Sequence, residues 1–228
     1  ENLSKLNKKE GLLRDSAKLT GSFRLACQTT VEKEPVRVER IIKDFSDVAQ
    51  YLDIDEYNRE VYDGYISVRE HPSLPLRISN YTNQAQYRGH SDATRKCRGL
   101  ITDIEGFIVA RPFEKFYNYQ EQDAVQFAAD EMVKVYDKAD GSLIIATAYE
   151  EQLVVSSRGS FESDQALAAY DLLSNSEFNA EYGLTTLFEL VGPSNRIVLD
   201  YPEDTLLYLS DVDVNSGEAL DLSHHDTR

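Results

Sequence analysis

The chain is 228 residues long, 41% hydrophobic and 28% charged, with 40 acidic against 24 basic residues and a formal net charge of −16. That length supports one sizeable core with a small appendage, and with no run of 18 apolar residues a membrane-spanning helix is excluded. The acidic balance argues against a general nucleic-acid coat, which would show a basic face. Two cysteines, Cys27 and Cys97, make no disulfide framework, so a reducing cytoplasm is the expected compartment.

No signal peptide is present, and the chain begins with Glu1, as a fragment would. Residues 1–40 are frequent in Lys and Glu with weak apolar periodicity, and are expected to stand apart from 41–228. Within them, the stretch from Phe23 through Cys27 to Val31, followed by Pro35-Val36-Arg37-Val38, resembles the closing strands of a [2Fe–2S] ferredoxin-like domain. A cluster takes four ligands, and no Cys-x4-Cys-x2-Cys precedes Cys27. The reading is a remnant of such a domain, with Cys27 a buried strand cysteine.

Val38, Ile41, Ile42, Phe45, Val48, Ala49 and Leu52 recur at helical spacing, which predicts a packing helix over 38–52. Alternation predicts strands over Tyr62–Arg69 and Leu74–Tyr81, broken by His71-Pro72-Ser73-Leu74-Pro75. His71, His90 and the pair His224-His225 have no partner at metal-ligand spacing, so no zinc site is expected and the two isolated histidines read as ordinary surface residues. Arg95 to Asp103 then turns at Glu105-Gly106 into Phe107–Pro112, a hairpin with basic residues at its mouth. From Arg88 to Lys115 six Lys/Arg face four acids, so a basic site on an acidic body is admissible.

An apolar strand is expected over 133–136, running into Lys138-Ala139-Asp140-Gly141-Ser142 and out through Leu143-Ile144-Ile145. Asp-Gly alone is a strong hairpin signal. The lysine adds a chemical reading. An amine must be unprotonated to attack phosphorus, while a free Lys has a pKa of about 10.4; burial or nearby positive charge lowers it. Asp140 could then accept from a nucleotide or orient the lysine, and Gly141 could let backbone approach a ligand or take positive φ.

Leu143–Tyr149 and Leu153–Ser157 predict an apolar hairpin around Glu150-Glu151-Gln152. Ser160 or Ser163 is positioned to cap a helix near Asp164–Leu173. Thr185 to Gly192 predicts a strand in which Glu189 follows Phe188 in an apolar run. A buried carboxylate is costly unless paired or solvated by a ligand, which makes Glu189 a site candidate. Ile197–Tyr201 and Leu206–Val214 are expected as further strands.

Taken together, Cys97-Arg98-Gly99, then Ala110-Arg111-Pro112-x-Glu114-Lys115-Phe116-x-Asn118, then Lys138-x-Asp140-Gly141-Ser142 is similar to the phage T4-type RNA ligase 1 family of covalent nucleotidyltransferases. Pro193-Ser194-Asn195-Arg196-Ile197-Val198 continues the match, and the resemblance covers roughly residues 76–222. It implies an α+β, mostly antiparallel two-sheet nucleotidyltransferase (ATP-dependent ligase-like) fold with flanking helices. It also implies ATP and Mg²⁺, with Lys138 as the nucleophile that becomes lysyl-AMP. RNA ends, a 5′-phosphate and a 3′-hydroxyl, are the implied partners. By position in the motifs, Arg98 and Lys115 would clamp phosphate, Phe116 or Tyr117 would lie near the purine, and Glu189 would contact metal or ribose. Arg158 stands where many members carry Lys. Two later motifs, a Glu-Gly-x-Val and a Lys-x-Lys strand, do not occur before Arg228, so a truncated domain is expected. A related DNA ligase or capping enzyme, or a non-catalytic module that binds RNA ends, shares most of these features.

Overall fold

The computed structural model describes residues 47–220, except 122, 129, 134 and 136. The Cys27 segment, residues 38–46 of the expected helix and the His224-His225 pair lie outside the described residues.

Two antiparallel four-stranded sheets form the body. The first has the order β1 (Ile66–Glu70), β2 (Leu76–Tyr81), β3 (Arg98–Asp103), β4 (Ile108–Ala110). In the second, β5 (Ser142–Tyr149) is flanked by β6 (Gln152–Ser157) and by β7 (Leu184–Val191), which pairs with β8 (Thr205–Asp213). Side chains alternate across a strand, and that alternation builds three apolar layers. Ile78, Ile101 and Val109 meet Ile145, Leu187 and Val212 between the sheets. Leu100 and Ile108 face the other way, under Leu52 and Ala93. Ile144 and Phe188 turn outward from the second sheet onto Ala169 and Leu173. Fully burying a Leu, Ile or Val is worth about 1.5–3 kcal/mol, so the layer shared by both sheets fixes their mutual placement. The mixed, antiparallel two-sheet architecture expected from the sequence is present.

The helices are short and locally specified. Helix α1 (Val48–Tyr51) starts at Asp47, whose carboxylate accepts from the Ala49 N–H at 2.9 Å. The helix expected to run to Leu52 stops there, because Leu52 is extended and Asp53 starts a new helix. Asp53 caps α2 (Ile54–Tyr62) by accepting from the Glu56 N–H at 3.0 Å. Consequently β1 begins at Ile66 rather than Tyr62, after a turn in which Gly64 takes φ 78°. Helices α3 (Asn83–Arg88) and α4 (Asp92–Lys96) fill the β2–β3 connection. Ser163, not Ser160, caps α5 (Asp164–Ser174) by accepting from the Ala166 N–H at 3.2 Å.

Two expected strands are absent among the described residues. Val133, Val135 and Asp137 are irregular, with Val135 88% exposed, since no described strand pairs with this segment. Residues 197–201 form a loop whose Val198 and Leu199 N–H groups are taken by the Asp140 side chain, which removes two donors a ladder would need. No described helix is long and apolar enough to cross a membrane.

Candidate active site

The turn bearing Lys138 is fastened at three points, two on the end of β7 and one on the 198–201 loop. The Gly141 N–H donates to Glu189 Oε1 at 3.1 Å. A Cβ on Gly141 would lie 2.2 Å from the Leu190 carbonyl oxygen, so only glycine fits there. The reason is close approach to the protein's own strand; φ at Gly141 is not positive. Asp140 takes the third point. Its Oδ2 accepts from the Val198 and Leu199 N–H groups, both at 2.7 Å, and its own N–H donates to the Tyr201 hydroxyl at 3.2 Å. These backbone bonds hold the Asp140 carboxyl below its usual range. Asp140 therefore organises the 198–201 loop, and no bond from it to the Lys138 amine occurs among the described contacts.

Lys138 and Glu189 line one cleft of about 1060 Å³ between the sheets. Burial lifts the Glu189 carboxyl above its ordinary pKa, while the Gly141 N–H, Lys138 and Arg98 pull it back. Asn195 steadies this wall: its Nδ2 donates to the Leu190 carbonyl at 2.7 Å, and its Oδ1 accepts from Ser142 Oγ at 3.1 Å.

The opposite wall is cationic. Arg98 opens β3, stands 4.9 Å from the Phe116 ring centroid and donates to the Phe113 carbonyl at 3.4 Å. Its burial, then the neighbouring Arg158, lower its guanidinium pKa, while Tyr81 and Glu189 favour the charge. Arg158 follows β6 and donates to the Tyr81 hydroxyl at 3.0 Å. Tyr81 thus sits between two arginines. Sequence reading missed it, because an aromatic at the end of a strand carries no spacing signal. In the cleft lining four cations, Arg69, Arg98, Lys138 and Arg158, face two carboxylates, Asp137 and Glu189, the reverse of the chain's net charge of −16.

Of the expected residues, Arg98, Phe116, Lys138, Gly141, Arg158 and Glu189 come together on this cleft. Lys115 and Tyr117 do not line it. The Lys115 ammonium donates to the Phe116 carbonyl and stands 4.2 Å from the Tyr117 ring centroid, and its N–H donates to the Arg95 carbonyl at 2.9 Å. That bond ties the Lys115 backbone to α4. His90, expected at the surface, packs edge-on to Tyr81 at 4.7 Å with both ring nitrogens buried. His71 Nδ1 accepts from the Ser73 and Leu74 N–H groups at 3.2 and 3.0 Å.

Among the described residues no group of three His, Cys, Asp or Glu could cage a metal. Glu189 and Asp137 are the cleft's two carboxylates. That sparse donor set fits Mg²⁺, which keeps waters and is bound through one or two carboxylates plus substrate phosphates.

The chain is similar to a protein of Autographa californica nuclear polyhedrosis virus named as a candidate bifunctional polynucleotide kinase/RNA ligase. The two are 29% identical over 67% of this chain and 26% of that protein. It is also similar to a protein of Thermovibrio ammonificans named as a candidate RNA ligase, 26% identical over 55% of this chain and 36% of that one. The chain thus spans about a quarter to a third of the curated relatives it matches. The sequence profile of the T4 RNA ligase 1 family, described as RNA ligase, matches residues 96–228. The match takes in more than half of the chain, from the start of the Arg98 strand through the fastened Lys138 turn and Glu189, and the chain belongs to the T4-type RNA ligase 1 family.

Proposed function

We propose that the chain carries the ATP-dependent nucleotidyltransferase chemistry of an RNA ligase, on a nucleotidyltransferase fold, with Lys138 as nucleophile. One observation carries the reading: a turn fastened by backbone bonds presents Lys138 beside Glu189 in a cleft where cations outnumber carboxylates. Such a cleft suits a polyphosphate, and a bidentate guanidinium suits its oxygens. Most of the acceleration would come from positioning and charge stabilisation.

The Lys138 amine, once deprotonated, attacks the α-phosphorus of ATP. An N–P bond forms and the bond to the pyrophosphate oxygen breaks. A 5′-phosphate oxygen of RNA then attacks that phosphorus, the N–P bond breaks, and the amine regains its proton. Finally a 3′-hydroxyl oxygen attacks the activated 5′-phosphorus, and AMP leaves. Arg98 and Arg158 offset the charge on the non-bridging oxygens, and the Phe116 face packs against the base. Glu189, with Asp137, would hold Mg²⁺, which supplies neutralisation of the phosphates.

Intact mass after incubation with ATP and Mg²⁺ tests the first step. An AMP adduct is expected on this chain or on a longer reading frame that includes it, and lost in Lys138→Ala. Absence of an adduct on both, with ATP binding retained, overturns the reading and leaves a binding module. Supplying RNA or DNA with a 5′-phosphate then separates an RNA ligase from a DNA ligase, and a guanylate adduct would mark a capping enzyme.

A further inference from the structure

The chemistry above leaves one wall of the cleft unused, the edge strand of the first sheet. Strand register places Arg98 of β3, Asn80 of β2 and Ser67 of β1 in one row. Neighbouring strands lie about 4.8 Å apart, so β1 stands about 10 Å from β3. Ser67 and Arg69 are two residues apart on β1 and share a face, and both line the cleft. The wall is rigidly built. Ser67 Oγ donates to the Asn80 carbonyl at 3.1 Å, and Asn80 Nδ2 donates to the Tyr81 carbonyl at 3.0 Å. The turn after β6 presses on the same side chain: a Cβ on Gly159 would lie 3.4 Å from Asn80 Nδ2.

Arg69 differs from the cations around it. Arg98 and Arg158 are engaged with the Phe113 carbonyl and the Tyr81 hydroxyl. Arg77 on β2 pairs with Glu70, the acid next to Arg69, at 3.4 Å. The Arg69 guanidinium has no ion pair or hydrogen bond among the described residues. In a chain with 40 acids against 24 bases, an unengaged arginine turned into a cleft is available to an anion from outside. Its place on an open edge selects the anion. A mononucleotide at Lys138 and Arg98 can end short of that edge, which stands about 10 Å from β3, whereas a polymer longer than the cleft has to leave it, and this open edge is one way out. Non-specific grip on such a strand comes from arginine and lysine on its phosphates.

We infer that the β1 edge, Arg69 beside Ser67, is a subsite for a backbone phosphate of the RNA strand, about two strand spacings from the reacting phosphate. The inference rests on the proposed RNA substrate and goes beyond it by assigning the strand's path over the first sheet. It makes Arg69 a determinant of RNA affinity that is blind to base sequence.

The test is binding of a 5′-phosphorylated single-stranded oligoribonucleotide by fluorescence anisotropy at several salt concentrations, with wild type, Arg69→Ala and Arg69→Lys. Adduct formation with ATP alone is measured on the same proteins. For Arg69→Ala the expected result is weaker binding and a log–log salt slope shallower by about 0.7, one phosphate contact on a single strand. Arg69→Lys keeps the slope. An unchanged slope in Arg69→Ala, or wild type that does not bind the oligoribonucleotide, overturns the subsite. Slower adduct formation with an unchanged RNA slope assigns Arg69 to the ATP phosphates, which also overturns it. A shallower slope in a protein that forms no adduct supports the subsite while the catalytic reading fails.

Discussion

The two walls of the cleft are held by different physics. The wall from the second sheet is fixed through its backbone: Gly141 is wedged against Leu190, and the Glu189 carboxylate and Asp140 tie the turn on either side. The cationic wall, Arg98 from the first sheet and Arg158 from the turn after β6 of the second, is fixed through side chains, with Arg98 on the Phe116 face and Arg158 on the Tyr81 hydroxyl. A nucleophile has to meet its target atom in line, and tolerates little slack. A guanidinium only has to offer donors to several equivalent oxygens, so a softer mounting suffices. The difference teaches where substitutions will break geometry and where they will only weaken charge.

Gly141→Ala should have the largest effect, because its Cβ meets backbone that cannot rotate away. Overpacking of this kind costs about 1–3 kcal/mol, and thermal melting should show it together with loss of adduct formation. If melting and adduct both stay at wild-type levels, the backbone-fixed wall is not rigid and the contrast collapses. Gly99→Ala tests the seam between the walls. Gly99 has φ +93°, and its Cβ would lie 2.4 Å from Ile145 Cδ1 and 3.2 Å from the Arg158 carbonyl oxygen. The isoleucine can give way where the Leu190 carbonyl cannot, so a somewhat smaller loss of melting temperature is expected, with Arg98 displaced and ATP affinity reduced.

Ser163→Ala removes the α5 cap and should cost about 1 kcal/mol. It should leave adduct formation per folded molecule intact; a loss of activity beyond the loss of folded protein would show that the cap serves the cleft.

Glu189→Gln should have the smallest effect on stability, and its sign depends on pH. Burial raises the Glu189 pKa in the folded state, so the folded state holds its proton more tightly than the unfolded chain. Its ionised form therefore destabilises the fold once pH rises past the folded pKa, and the penalty vanishes below the unfolded pKa. Glu189→Gln should melt slightly higher than wild type at pH 7 and equal to it in acid, while losing adduct formation. A variant that melts lower at pH 7 would show the carboxylate to be a structural anchor rather than a strained functional group.

Local patterns carried much of the architecture. The alternation in Leu76–Tyr81 and the hairpins at Glu105-Gly106 and Glu150-Glu151 were legible because strand period and turn chemistry are properties of neighbouring residues. Polar caps overrode apolar spacing at Asp47, which is extended and starts a new helix inside the one that periodicity predicts over 38–52. Val133 and Val135 misled for the opposite reason: they alternate like a strand, yet nothing described pairs with them. In the site, the spacing of Lys138, Asp140 and Gly141 marked a turn whose Lys138 and Gly141 line the cleft, but not what holds it: Asp140 binds the 198–201 loop and Gly141 lies against Leu190.

The sequence by itself determined the residue types and their order along the chain: a lysine in a tight turn, an arginine opening a strand, a glutamate inside an apolar run. Those follow from local sterics and from the cost of burying charge. Only the tertiary structure decided which of them meet. It packed two sheets through one shared apolar layer, which brought Arg98 of the first sheet to the cleft that Lys138, Arg158 and Glu189 line, and it tied the Lys115 backbone to α4. It also supplied Tyr81 and Arg69. Which side chains meet across two sheets depends on register and on the placement of the whole layer, which no short stretch of the chain encodes.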